Sequence, residues 1–177
     1  MNSGFSELAG SLVAIAHEAG RLILRHYRGV SEARAKADDS PVTAADEEAE
    51  ALILARLAEA APDVPVVAEE MMARGAAPDP GSRFFLVDPL DGTKEFLKRN
   101  GEFTVNIALI DNGAPVMGVV LAPAKARLFL GEKEMGAFEL AAPDEQTLDI
   151  ARARRISARK APAEGLVAVA SRTHRDA

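Results

Sequence analysis

Residues Arg83 to Phe96 read R-F-F-L-V-D-P-L-D-G-T-K-E-F. The apolar run Phe84–Val87 has the length and residue types of a buried strand. It ends on a carboxylate, Asp88. Pro89 lacks an N–H and fixes its own φ, so a strand is expected to break there into a turn. Asp91 follows three residues after Asp88, and Gly92-Thr93 are placed to open a helix. The turn would let Asp88 and Asp91 face one point and would aim the Leu90 carbonyl inward. Carboxylates, carbonyls and waters are what a hard cation such as Mg2+ accepts. The cluster holds no His or Cys, which argues against zinc. Two carboxylates ~4 Å apart at an effective dielectric near 20 repel by about 4 kcal/mol. Three converging acids would therefore need a cation, or would protonate or splay apart. Spacing alone leaves two readings open, converging ligands or solvated loop acids. Thr93 likewise reads either as a phosphate or water contact at a helix start or as a plain cap. The order G-T-K excludes a nucleotide P-loop, which needs G-K-[ST].

Upstream, residues 5 to 28 carry a helical stripe of Leu8, Leu12, Ile15, Ala19, Leu22 and His26, with Gly29 as its stop. His17 and His26 on this helix read as surface or half-buried residues. Residues 31 to 42 are polar and read as a loop. Thr43, three residues before Asp46, has capping-box spacing, so pattern alone makes Asp46 a helix cap. Ala45, Ala49, Leu52, Ile53 and Leu57 continue that helix to Pro62. Val64–Ala68 reads as a short buried strand closing on Glu69 and Glu70, and Met71–Ser82 as a surface loop.

Downstream, Phe103–Ile110 is a strand candidate, and Asp111-Asn112-Gly113 signals a hairpin. Val116–Leu121, Arg127–Leu130 and Ala137–Leu140 continue an antiparallel meander. Residues 141 to 165 read as charged and irregular with one apolar point at Ile156. Leu166–Ala170 reads as a last strand. Two helices followed by antiparallel strands define an α+β layered class.

Composition narrows the function classes. The chain has 177 residues, 48% of them apolar and 27% charged, with a net charge of −6 and no cysteine. That is ordinary for a globular protein. It excludes disulfides and thiolate chemistry, disfavours a broadly basic nucleic-acid surface, and fits a reducing cytoplasm. No apolar run approaches the ~18 residues of a spanning helix, and no signal peptide is visible.

Taken together, D-P-L-D-G-T, the acid pair Glu69-Glu70 and S-P-V-T-A-A-D resemble the inositol monophosphatase superfamily of Mg2+-dependent, lithium-sensitive phosphatases. D-G-T-K-E-F followed by G-E-F-T-V-N-I-A-L-I is similar to its 3′(2′),5′-bisphosphate nucleotidase branch. The resemblance implies a layered sugar-phosphatase fold and two or more Mg2+ ions. It implies Glu69, Asp88, the Leu90 carbonyl and Asp91 as metal ligands. Glu69 and Leu90, Asp91, Gly92 and Thr93 would contact substrate. Asp46 and Thr93 would position and deprotonate the attacking water, which turns the cap reading of Asp46 into a catalytic one. Ser171 and His174 in S-R-T-H resemble a nucleotide-contacting strand end. The implied substrate is adenosine 3′,5′-bisphosphate, a by-product of sulfate assimilation. An inositol- or sugar-phosphate phosphatase is the alternative enzyme, and a catalytically incomplete binding fragment the alternative class. The expected partner is a small phosphorylated nucleotide rather than a nucleic-acid polymer, with a homodimer left open. The expected location is the cytoplasm, free or peripheral on the inner face of the cell membrane. The family pattern continues into a second half with a W-D-x-A-A-G-like motif, and this chain has no Trp. Residues 1–177 are therefore expected to form an N-terminal metal- and phosphate-binding domain, truncated before that half and weakly active alone.

Overall fold

The computed structural model describes residues 5–29, 33–35, 41–76 and 78–168, with only the backbone of 33–35 and of 41–42. Helix α1 spans Glu7–Arg28. The Ser6 side chain accepts the Ala9 N–H at its start, and Gly29 closes its end. Helix α2 spans Ala44–Ala60 and opens on the capping box expected at Thr43 and Asp46. Between them, Ala33–Ala35 (β1) and Pro41–Thr43 (β2) pair antiparallel. A loop was expected there; backbone pairing makes a two-stranded ribbon from a segment with no apolar alternation to announce it. Lys36, Asp38, Asp39 and Ser40 lie outside the described residues.

The main sheet has seven strands in chain order. They are β3 (Val66–Ala68), β4 (Arg83–Asp91), β5 (Thr104–Asp111), β6 (Ala114–Ala122), β7 (Arg127–Glu132), β8 (Gly136–Ala141) and β9 (Arg154–Ile156). Only β3–β4 is parallel; every later pair is antiparallel. The period-2 pattern decides which face is core. Phe85 and Val87 of β4, Val105, Ile107 and Leu109 of β5, Val119 and Leu121 of β6, and Leu128 and Leu130 of β7 are buried in one cluster with the stripes of α1 and α2. Helix α1 lies against the Leu121 side chain of β6 at Gly20, where an added Cβ would stand 2.4 Å from it. On the other face Leu86 and Val120 are exposed.

Four further expectations need correction. Pro89 does not end its strand. The ladder runs on to Asp91 through a register shift between Asp88 and Asp91, because a bulge tolerates a residue with no N–H to donate. The start of the expected 71–82 loop belongs to a short helix, α3 (Glu69–Ala73). Ile156 belongs to β9, which pairs with β8; three residues of edge strand carry too little pattern to be read from sequence. Leu166–Ala168 form no strand, and Leu166 is 90% exposed; residues 169 and 170 lie outside the described ones. The histidines are accounted for by packing. His17 is buried, deeper than expected, with Nε2 3.0 Å from the Pro143 carbonyl, and His26 pairs with Glu48 at 3.0 Å.

Candidate active site

The C-terminal end of β4 meets the starts of α2, α3 and α4 (Thr93–Leu97). Gly92 makes the junction from β4 to α4 with φ +94°. An ideal Cβ there would lie 2.9 Å from the Glu102 carbonyl oxygen and 3.3 Å from Phe103 Cα. Glycine is thus required twice, for the left-handed backbone and for the close approach of two chain segments. Helix α4 is then held from beneath. Phe96 and Phe103 pack edge to face at 5.3 Å, Tyr27 of α1 lies 5.4 and 4.9 Å from them, and Arg99 stacks over Tyr27. Arg99 also donates to the Gly29 carbonyl at the end of α1. This clamp fixes where Thr93 points.

Thr93 and Asp46, 47 residues apart in sequence, come together. The Thr93 hydroxyl lies 3.1 Å from Asp46 Oδ1 and 3.3 Å from the Leu90 carbonyl, so its one proton is shared between two acceptors. Asp46 Oδ2 accepts from the Thr43 N–H at 2.8 Å and the Thr43 hydroxyl at 2.6 Å. Asp46 is buried, and burial raises its pKa against the opposing pull of the Thr43 and Thr93 bonds. It serves as cap and as partner of Thr93 at once. Thr93 is the first residue of α4, and Gly92 is its cap.

The acids are arranged less symmetrically. Asp88 Oδ1 accepts the Leu90 N–H at 3.2 Å, which closes the turn around Pro89. Burial, then the charge of Glu69 and that of Asp91, pushes Asp88 up to about 8, and a side-chain bond to Glu69 acts the same way. Asp91 is exposed and accepts from Asn106 of β5 at 3.3 Å. Glu69 and Asp88 therefore touch, and Asp91 stands within electrostatic reach. Among the described residues, no three His, Cys, Asp or Glu side chains are gathered tightly enough to hold a metal unaided. The expectation that all three carboxylates converge is met by one pair. The donor set still suits a hard divalent cation: carboxylates and a carbonyl, no nitrogen or sulfur. Burial first, and then the neighbouring charges of Glu69 and Asp91, raise Asp88; a bound cation would offset both by favouring the ionised carboxylates. Ser171 and His174 lie outside the described residues.

The sequence pattern does not single out Asn106, or Thr43 as a hydroxyl partner of Asp46. Asn106 is an ordinary polar strand residue that only the fold brings to Asp91, whereas Thr43 reaches Asp46 through the local capping box, with its hydroxyl as a further donor.

The model of the inositol monophosphatase family matches residues 5–176. The chain belongs to the inositol monophosphatase family. It is 53% identical over 111 residues to the 3′(2′),5′-bisphosphate nucleotidase CysQ of Escherichia coli strain K12, covering 62% of this chain and 45% of that protein. Among solved structures it resembles CysQ from Bacteroides thetaiotaomicron, with TM-score 0.68 and 35% identity over 91% of this chain and 61% of that one. It also resembles the extragenic suppressor protein suhB from Bartonella henselae, with TM-score 0.68 and 33% identity over 78% and 54%. The α+β layered fold is thus that of the family, and the chain spans about half the length of the curated relatives it matches. No described helix is long and apolar enough to cross a membrane.

Proposed function

We propose that residues 1–177 form the metal- and phosphate-binding part of a Mg2+-dependent phosphomonoesterase that removes the 3′-phosphate of adenosine 3′,5′-bisphosphate. The observation that carries this reading is the Thr43–Asp46–Thr93–Leu90 hydrogen-bond chain beside the Glu69–Asp88 pair. The substrate follows from similarity to relatives named bisphosphate nucleotidase. Glu69, Asp88, the Leu90 carbonyl and Asp91 would hold Mg2+, two or more ions in all. When bound, the metal would supply charge neutralisation at phosphate and a more acidic water.

The chain's own residues do the positioning. Asp46 holds Thr93 through Oδ1 and is itself fixed by Thr43 through Oδ2. A water donating to Thr93 Oγ1 would be oriented by that locked hydroxyl; as it attacks, its proton would pass to Oγ1 while the Thr93 proton passes to Asp46 Oδ1. The raised pKa of Asp46 makes it a stronger base than an ordinary aspartate. Residues Leu90 to Thr93 would receive the substrate phosphate, with Gly92 letting the backbone come near.

With Mg2+ present, phosphate release should be faster from adenosine 3′,5′-bisphosphate than from inositol 1-phosphate. The reverse order would move the protein to the inositol-phosphate branch. Failure on both, by a chain that binds Mg2+, would leave a binding fragment.

A further inference from the structure

One carboxylate near this site has no part in the chemistry above. Glu50 lies on α2 one turn beyond Asp46, on the same side of the helix, and is 1% exposed. A buried ionised carboxylate is costly unless it is fully bonded. Its bonds all run to α3. Oε2 accepts the Glu70 N–H at 2.7 Å and the Met71 N–H at 3.1 Å, and Oε1 accepts from Arg74 at 2.5 Å. Helix α3 has no cap of its own, because Ala68 at its cap position offers no side-chain acceptor. The first turn of a helix carries N–H groups without intrahelical partners. Here a side chain 20 residues upstream fills that role.

The residue that opens α3 is Glu69, adjacent to the first amide that Glu50 grips. We infer that Glu50 is a positioning residue: its carboxylate caps α3 from α2 and so holds Glu69 against Asp88. The same helix face then sets both halves of the site, Asp46 through Thr93 and Glu50 through Glu69. A five-residue helix cannot hold its own start in place, so the orientation of Glu69 is borrowed from the long helix α2. This rests on the reading of Glu69 as a metal ligand.

The role depends on reach rather than charge, and the two can be separated. Glu50→Gln keeps the length and one acceptor oxygen for the two amides. It gives up the ion pair with Arg74, whose side chain is mostly exposed, and at the same time the buried negative charge which that pair offsets. Glu50→Asp keeps the charge but is one methylene short. The affinity for Mn2+, standing in for Mg2+, is measured by titration calorimetry, with amide hydrogen exchange at residues 69–71 in parallel. Removing a partner that orients a metal ligand costs ~10–100-fold in metal affinity. Glu50→Ala and Glu50→Asp should weaken Mn2+ binding by that factor and speed exchange at Glu70 and Met71. Glu50→Gln should restore most of both. A control with comparable thermal destabilisation in the distant sheet, Leu128→Ala, should bind Mn2+ like the native chain. The inference is overturned if folded Glu50→Ala keeps native affinity and exchange, if Asp rescues and Gln does not, or if Leu128→Ala loses as much affinity. If Glu50→Ala does not fold, the Gln and Asp variants decide. If the native chain binds no Mn2+, the metal reading of Glu69 fails by itself. The positioning role is then judged by exchange, and unchanged protection in the Glu50 variants refutes it.

Discussion

Replacing Gly92 with alanine tests the junction on which the site depends. Gly92 has φ +94°, and a left-handed backbone costs a non-glycine residue about 1–2 kcal/mol. The new Cβ would also stand 2.9 Å from the Glu102 carbonyl oxygen and 3.3 Å from Phe103 Cα. Both are backbone atoms, so no rotamer change relieves the contact, and overpacking of this kind costs about 1–3 kcal/mol. Loss of chain entropy in the unfolded state returns ~0.4–1 kcal/mol. The net expectation is ~2–4 kcal/mol. With a urea m-value of about 2 kcal/mol/M, the unfolding midpoint should fall by ~1–2 M. For a chain of this size Tm should fall by roughly 2–4 °C per kcal/mol. Gly92→Asn separates the contributions, since asparagine tolerates the left-handed region yet still carries a Cβ; it should recover only the backbone part. Chemical denaturation followed by far-UV circular dichroism reads both variants. An unchanged midpoint for Gly92→Ala would refute the close approach and, with it, the position of Thr93 against Asp46.

Further predictions concern the acids and the hydroxyl. Thr93→Ala should lower Mg2+-dependent kcat by ~10² with Thr93→Ser largely restoring it, and an unchanged rate in steady-state kinetics would reduce Thr93 to a helix-start residue. Asp88→Asn should abolish Mg2+-dependent turnover while circular dichroism stays native; normal turnover would remove Asp88 from the metal ligands. In the metal-free chain, Asp88 is raised from 3.8 to about 8. The folded state then holds a proton the unfolded state has lost, so this contribution is full below pH 3.8 and disappears as pH rises through about 8. Thermal melts in chelator should show stability falling across that window, the fall should vanish in Asp88→Asn, and added Mg2+ should offset it. Asp46→Ala should cost about 1 kcal/mol in stability from the lost half of the α2 capping box, together with the catalytic loss; native stability without turnover would assign Asp46 to chemistry rather than capping.

Elements carried by strong local pattern were legible in the chain itself. The stripe of α1, the capping box of α2 and the alternation in β5 to β8 follow from apolar spacing and turn residues such as Asn112-Gly113, whose positive φ values fit the tight hairpin. Elements that depend on pairing were not. Strands β1, β2 and β9 are three residues each, and their backbone bonds, rather than their side chains, define them. Pro89 misled in a different way. It marks an irregularity, but whether that irregularity is a break or a bulge depends on the neighbouring strand.

For the site, the sequence by itself determined the inventory: oxygen ligands without nitrogen or sulfur, a glycine before a hydroxyl, and the order of Asp46, Glu69 and D-P-L-D-G-T along the chain. Those are covalent facts, and they were enough to place the chain in its family. Tertiary structure decided which groups touch. It brought Asp46 to Thr93 across 47 residues, pressed Glu69 against Asp88, and turned Asp91 toward Asn106. It also set Glu50 under the start of α3. The physical reason is that these contacts span three helix starts and a strand end. Their relative positions follow from how α1 and α2 pack on the sheet and from the left-handed Gly92, which lets the start of α4 approach the segment leading into β5.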